Sequence, residues 1–116
     1  MRHRKKGAIL GRKLGPRRSL LKNLAASLVL YEKVRTTEAK ARLVRPYVER
    51  LITTAKQPTL AHRRQLLAKL PGEGPVKKLL EVLGPRYQDR RGGYTRTVKL
   101  GTRVGDQARV VQIEFI

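Results

Sequence analysis

Leu20, Leu21, Leu24, Leu28 and Tyr31 recur at three- and four-residue spacing, the period of one face of an α-helix. Pro16 stands just ahead of them, where its missing N–H costs nothing at a first helical position. The pattern predicts a helix from residue 16, with these five side chains in the core and Arg17, Arg18 and Lys22 on or near the opposite face. "KVRTT" is short and β-branched, which predicts a brief strand over 33–36. Thr37 suits an N-cap, and Glu38 in the first turn interacts favourably with the helix dipole. A second helix is expected from 38 to about 56, with Val44, Tyr47, Val48, Leu51, Ile52 and Ala55 on one face. Pro46 interrupts that pattern and predicts either a kink or two pieces, because it removes a backbone bond and crowds the carbonyl of Arg42.

Thr59 is positioned to cap a third helix, with Leu60, Leu66, Leu67 and Leu70 as its apolar contacts. "PGEGP" breaks it. Pro75 then restarts a short fourth helix carrying Val76, Leu79, Leu80 and Leu83, which Gly84 and Pro85 are expected to end. Beyond this point the period changes from helical to alternating. Residues 94–100 and 108–116 read as strands, with Val111, Ile113 and Phe115 on one face, and "GTRVGDQ" joins them as a hairpin connection. Helices first and strands last give an α+β fold: about four helices packed on one face of a small mixed sheet. Residues 1–15 hold six Lys or Arg side chains, no acid and little apolar periodicity. They are expected to form a basic, extended N-terminal arm that orders on a partner, with 16–116 as a single domain.

Charge narrows the choice of partner. Lys plus Arg total 28 against 8 for Asp plus Glu, a formal net charge of +20. So large an excess repels itself in the free protein, and a polyanion relieves it. Arginine outnumbers lysine, and its planar fork clamps phosphate oxygens as an ammonium cannot. The apolar run at 24–30 is far too short to span a membrane and is approached through Lys22 and Asn23, so neither a membrane partner nor a signal peptide is expected. The absence of cysteine leaves no disulfide or thiolate metal site and is compatible with a reducing, cytoplasmic compartment.

Catalysis finds little support. The eight acids are scattered without a close pair to share proton transfers, and neither His3 nor His62 falls in a metal-binding spacing. The glycines match no nucleotide-binding loop. No cofactor, metal or small-molecule substrate is expected. The more informative stretch is "DRRGGYTRTVKLG", where Arg90, Arg91 and Arg96, with Arg86 just ahead of it, are opposed by Asp89 alone. Gly92 and Gly93 lack Cβ, so their N–H groups can approach phosphate oxygens; the bland alternative is a glycine turn or bulge leading into a strand. Tyr31 and Tyr47 lie on apolar stripes and are assigned to the core. Tyr87 and Tyr94 bracket the loop and either meet bases or pack beneath it. Five aromatics are too few for a stacking sheet, so recognition should be of phosphate, ribose and shape, as for folded RNA.

Three separated blocks also look familiar: "MRHRKKGAILGRKLGPRRSLLKNLAASL", "VRTTEAKARLVRPYVERLITTAK" and "PRYQDRRGGYTRTVKLGTRVGDQARVVQIEF". In this order, and over nearly the whole chain, they resemble the bacterial large-subunit ribosomal protein seventeen family. The resemblance implies an α+β fold, a structural role in the large ribosomal subunit in support of translation, and 23S rRNA as ligand, with no catalysis. It also implies a place on the solvent side near the polypeptide exit region, beside neighbouring large-subunit ribosomal proteins. It further implies RNA contact at Arg2, His3, Arg4, Lys5, Lys6, Arg12 and Lys13 of the start, with Arg17, Arg18 and Lys22 following. The same holds for Thr36 and Thr37 with the flanking Arg35 and Lys40, and for Arg86, Arg90, Arg91, Gly92, Gly93, Tyr94 and Arg96 around the loop.

Two other readings compete. A small basic architectural DNA-binding protein would need symmetric arms or an apolar wedge for base steps, and the sequence shows neither. An RNA-processing enzyme would need an acidic or histidine cluster assembled by folding.

Overall fold

A computed structural model describes residues 14–116. The element order is α1 (Leu14–Tyr31), β1 (Lys33–Thr37), α2 (Glu38–Ala55), α3 (Leu60–Lys69), α4 (Glu73–Lys78), a π-helical segment (Leu79–Leu83), α5 (Gly84–Arg86), β2 (Thr95–Thr102) and β3 (Arg109–Phe115). This is an α+β fold. The sheet has the order β1-β3-β2 and is antiparallel throughout, where a mixed sheet was expected. The last strand to form in sequence thus lies in the middle. Its alternation decides the layering: Val111 and Ile113 are buried under the helices, while Gln112 and Glu114 stay half-exposed on the open face.

Helix α1 begins two residues before Pro16, which the first turn accommodates because no intrahelical N–H is required there. Its buried stripe is Ala25, Ala26, Leu28 and Val29, flanked by Leu21 and Leu24. Tyr31 is not core. It is the last helical residue, beyond the packed layer, and is 72 % exposed. The chain turns at Glu32, whose φ of 65° is unusual for a non-glycine residue and reverses direction into β1.

Thr37 stands at the N-cap of α2 but its hydroxyl makes no capping bond; the residue is still in strand conformation and pairs with Val110. Helix α2 is continuous through Pro46. Pro46 and Arg42 are both exposed, so the carbonyl that loses its partner lies on the solvent side. On its buried side Ala41, Val44, Val48, Leu51, Ile52 and Ala55 form the centre of the core. Tyr47 is half-buried, and its hydroxyl donates to the carbonyl of Lys69 at the end of α3.

Thr59 caps α3 as expected, its hydroxyl accepting from the N–H of His62 at 3.2 Å. Leu66 and Leu70 are buried, but Leu60 is 64 % exposed and Leu67 also faces solvent, because a short helix packed at the rim covers only one narrow stripe. The last helical run does not end at Gly84 and Pro85. The N–H of Gly84 reaches back five residues to Leu79, a π turn that widens the helix and carries it on to Arg86. Gly84 is required for contact: a Cβ there would stand 2.6 Å from the carbonyl oxygen of Ala55.

Candidate nucleic-acid interface

Residues 87–94 join α5 to β2 and form the glycine loop. Its two tyrosines both point inward. Tyr94 is completely buried and Tyr87 nearly so, with ring centroids 5.2 Å apart and tilted, and Phe115 lies 6.3 Å from Tyr87. The Tyr94 hydroxyl donates to the carbonyl of Arg90 at 3.2 Å, and the Thr53 hydroxyl lies 3.3 Å away. Lys56, the C-cap of α2, donates to the same Arg90 carbonyl and sits 4.7 Å above the Tyr94 ring. The Tyr87 hydroxyl donates to the carbonyl of Ile116, and the Ile116 N–H donates to the carbonyl of Tyr94, tying the loop to the end of β3.

A second anchor is Glu49. Its carboxylate accepts from the Gly93 N–H at 3.2 Å, from the Thr95 hydroxyl at 3.0 Å and from Arg45 Nε at 3.3 Å. Arg45 also donates to the Thr95 carbonyl at 3.0 Å and the Thr95 hydroxyl at 3.1 Å. Arg45, Glu49 and Thr53 of α2 and Lys56 just past its end therefore hold the loop from below, while Asp89, Arg90, Arg91 and Gly92 remain exposed above it. Gly93 adopts φ 65°, which a residue with a side chain would resist.

This geometry corrects part of the predicted site. The Tyr94 ring packs beneath the loop and offers no face to a base. The Gly93 N–H is taken by Glu49 and is not aimed at a phosphate. Arg86 pairs with Glu32, which also accepts from Lys78 at 3.1 Å; that pairing holds the Glu32 carboxyl down at about 2 and raises the guanidinium of Arg86. Arg96 lies 3.4 Å from Glu114 yet remains mostly exposed. Among the described residues, neither Arg90 nor Arg91 is in an ion pair.

The remaining predicted residues among those described distribute over three further places. Arg35 and Arg96 share the open face of the sheet with Lys33, since Lys33 and Arg96 both register with Glu114, and Arg35 with Gln112. Thr36, Thr37 and Lys40 are half-buried at the β1–α2 junction. Arg18 is exposed on α1, and Arg17 and Lys22 are half-buried there. Arg2, His3, Arg4, Lys5, Lys6, Arg12 and Lys13 lie outside the described residues, and with them the arm as far as residue 13; Leu14 and Gly15, expected in the arm, belong to α1.

Sequence reasoning missed Glu49, Arg45, Thr53 and Lys56 as the platform under the loop. A signal existed: Arg45, Glu49 and Thr53 recur every four residues along one helix face, bordering the apolar stripe. Among the described residues no group of three or more His, Cys, Asp or Glu could hold a metal ion, and no helix is long and apolar enough to cross a membrane.

Comparison with known proteins identifies the family. The family profile described as "Ribosomal protein L17" matches residues 20–116. The chain is 48 % identical over all 116 of its residues to the large ribosomal subunit protein bL17 of Rickettsia bellii, covering 82 % of that protein. It is 47 % identical, again over its full length, to the bL17 of Thermomicrobium roseum, covering 99 % of that protein. With a family profile matched over residues 20–116 and near-half identity across its whole length, the chain belongs to the ribosomal protein L17 family.

Proposed function

We propose that this chain stabilises folded 23S rRNA in the large ribosomal subunit by gripping phosphates and ribose along a basic surface, and packs there against neighbouring ribosomal proteins. Membership of the family makes it a structural constituent of that subunit, a protein of the cytoplasmic ribosome without catalysis of its own. The finer assignment is of residues. Arg90 and Arg91 present two guanidiniums on a loop that α2 already holds in place, so binding need not order the backbone as well. Arg18, Arg35 and Arg96 extend the basic surface over α1 and the open sheet face. The six Lys and Arg residues of positions 1–13 add further phosphate contacts.

The observation that carries this reading is the combination of a +20 chain with a clamped loop whose two arginines lack intramolecular acids among the described residues. Competition between large-subunit rRNA fragments and duplex DNA at matched salt tests it. The rRNA is expected to win. A preference for duplex DNA would reverse the assignment in favour of an architectural DNA-binding protein.

A further inference from the structure

The helix layer does not follow β2 along its whole length. Thr95, Thr97 and Lys99 all project to the helix side of the sheet, opposite Phe115, Ile113 and Val111 of β3. Thr95 is buried under Arg45 and Glu49, but Thr97 and Lys99 are exposed. The helices therefore part from the strand just past the glycine loop. They leave an open cleft of about 240 Å3 between α2 and β2, floored by Ala41 and Val111 and walled by Arg42, Arg45, Thr97 and Lys99. The cleft continues past Glu38 to Arg109 at the base of the hairpin and to Thr37.

We infer that this cleft is a separate seat for a single RNA strand, with Arg42, Lys99 and Arg109 as its phosphate-binding cations. The inference rests on the rRNA-binding reading above. Charge identifies the occupant. Arg42, Arg45, Lys99 and Arg109 face the cleft against one acid, Glu38. Glu38 accepts from Arg42 at 2.5 Å and lies 3.7 Å from Arg109, so it spaces two guanidiniums that are still 78 % and 74 % exposed. Each guanidinium has five N–H donors and keeps several of them for another acceptor.

The lining agrees with this. The aliphatic stems of Arg42, Arg45 and Lys99 above the floor suit a ribose or a base face, while their cationic ends track the backbone, the arrangement used for single strands. Arg45 joins this seat to the glycine loop through Thr95. A strand leaving Arg90 and Arg91 can therefore pass along β2 toward the hairpin.

The test removes three charges from the full chain at the cleft, Arg42→Gln with Lys99→Gln and Arg109→Gln, and compares an equal removal on α3, Arg63→Gln with Arg64→Gln and Lys69→Gln. Binding to transcribed large-subunit rRNA fragments is measured across a salt series. The cleft variant should show a log–log salt slope shallower than wild type by about 2, since each lost phosphate contact removes about 0.7–0.9. The α3 variant should change by less than half as much. Equal changes in the two variants, or a wild-type slope in a folded cleft variant, would overturn the inference. Amine labelling of Lys99 in the wild-type chain provides a readout that does not depend on the variants folding. Saturating rRNA should protect it, and undiminished labelling in the complex, or protection by an acidic peptide and not by rRNA, would also overturn it. Failure of the wild-type chain itself to bind rRNA would instead remove the functional reading on which this seat depends.

Discussion

The hydroxyl of Tyr94 donates to the backbone carbonyl of Arg90, 3.2 Å away, so the loop is held from beneath by an aromatic of its own. Lys56 reaches the same carbonyl from the C-terminal end of α2. The result is a division of labour within eight residues. The tyrosine and the glycine fix the backbone, and the two arginines face outward.

That division predicts the effect of removing the arginines. Arg90→Ala with Arg91→Ala should weaken rRNA binding by about tenfold or more, on the scale of about 1–3 kcal/mol for a pair of charge-assisted contacts. The melting temperature of the free protein should hardly change, because both side chains are exposed. Thermal melts and filter-binding on the same preparations separate the two effects. A large loss of stability with retained binding would assign the arginines to the fold.

Glu49→Ala should do the reverse in stability and still harm binding. It strips the acceptor from the Gly93 N–H and from the hydroxyl of Thr95, which is buried. A loss of about 1–3 kcal/mol is expected in denaturant unfolding. The substitution also raises the net charge by one, which on charge alone would tighten RNA binding. Weaker binding is predicted all the same, since the loop loses its support. Tighter binding would show that the clamp is unimportant to recognition.

Gly84→Ala sets two effects against each other. Alanine favours a helix by about 0.5–1 kcal/mol over glycine. Its Cβ, however, would stand 2.6 Å from a backbone oxygen of α2 and 3.0 Å from that of Leu79, neither of which can swing aside like a side chain. The clash should win, with a net destabilisation of about 1–3 kcal/mol measured by urea unfolding.

Acid should act through Glu32. Its folded pKa lies at about 2, below the ordinary 4.5, chiefly because of the hydrogen bond from Arg86 and secondarily that from Lys78. A depressed carboxyl pKa gives stability that is present above the unfolded value and lost as pH falls through the folded one. Glu32→Gln should therefore melt lower than wild type at pH 6, and the gap should close between pH 4.5 and about 2. A gap that stays constant over that window would show that the ion pairs contribute nothing.

Most of the fold was legible because it is written in periodicity. The stripe of α2, the cap at Thr59 and the alternation of Val111 and Ile113 each depend on neighbours close in sequence. The misreadings came where distant contacts decide. Gly84 looks like a helix terminator until Ala55 is beside it, and Tyr31 looks like core until the helix ends at it. For the loop, the chemistry of "DRRGGYTR" pointed to the right backbone but gave Tyr94 and Gly93 an open choice that only α2 resolves. The cleft beside Lys99 was invisible for the same reason: its walls come from two segments more than fifty residues apart.

The central claim is that the positive charges grip rRNA phosphates, and the salt dependence of binding to large-subunit rRNA tests it most directly. Contact with about eight phosphates predicts a log–log slope of roughly −6 to −7. A slope near zero for the folded chain would contradict the account.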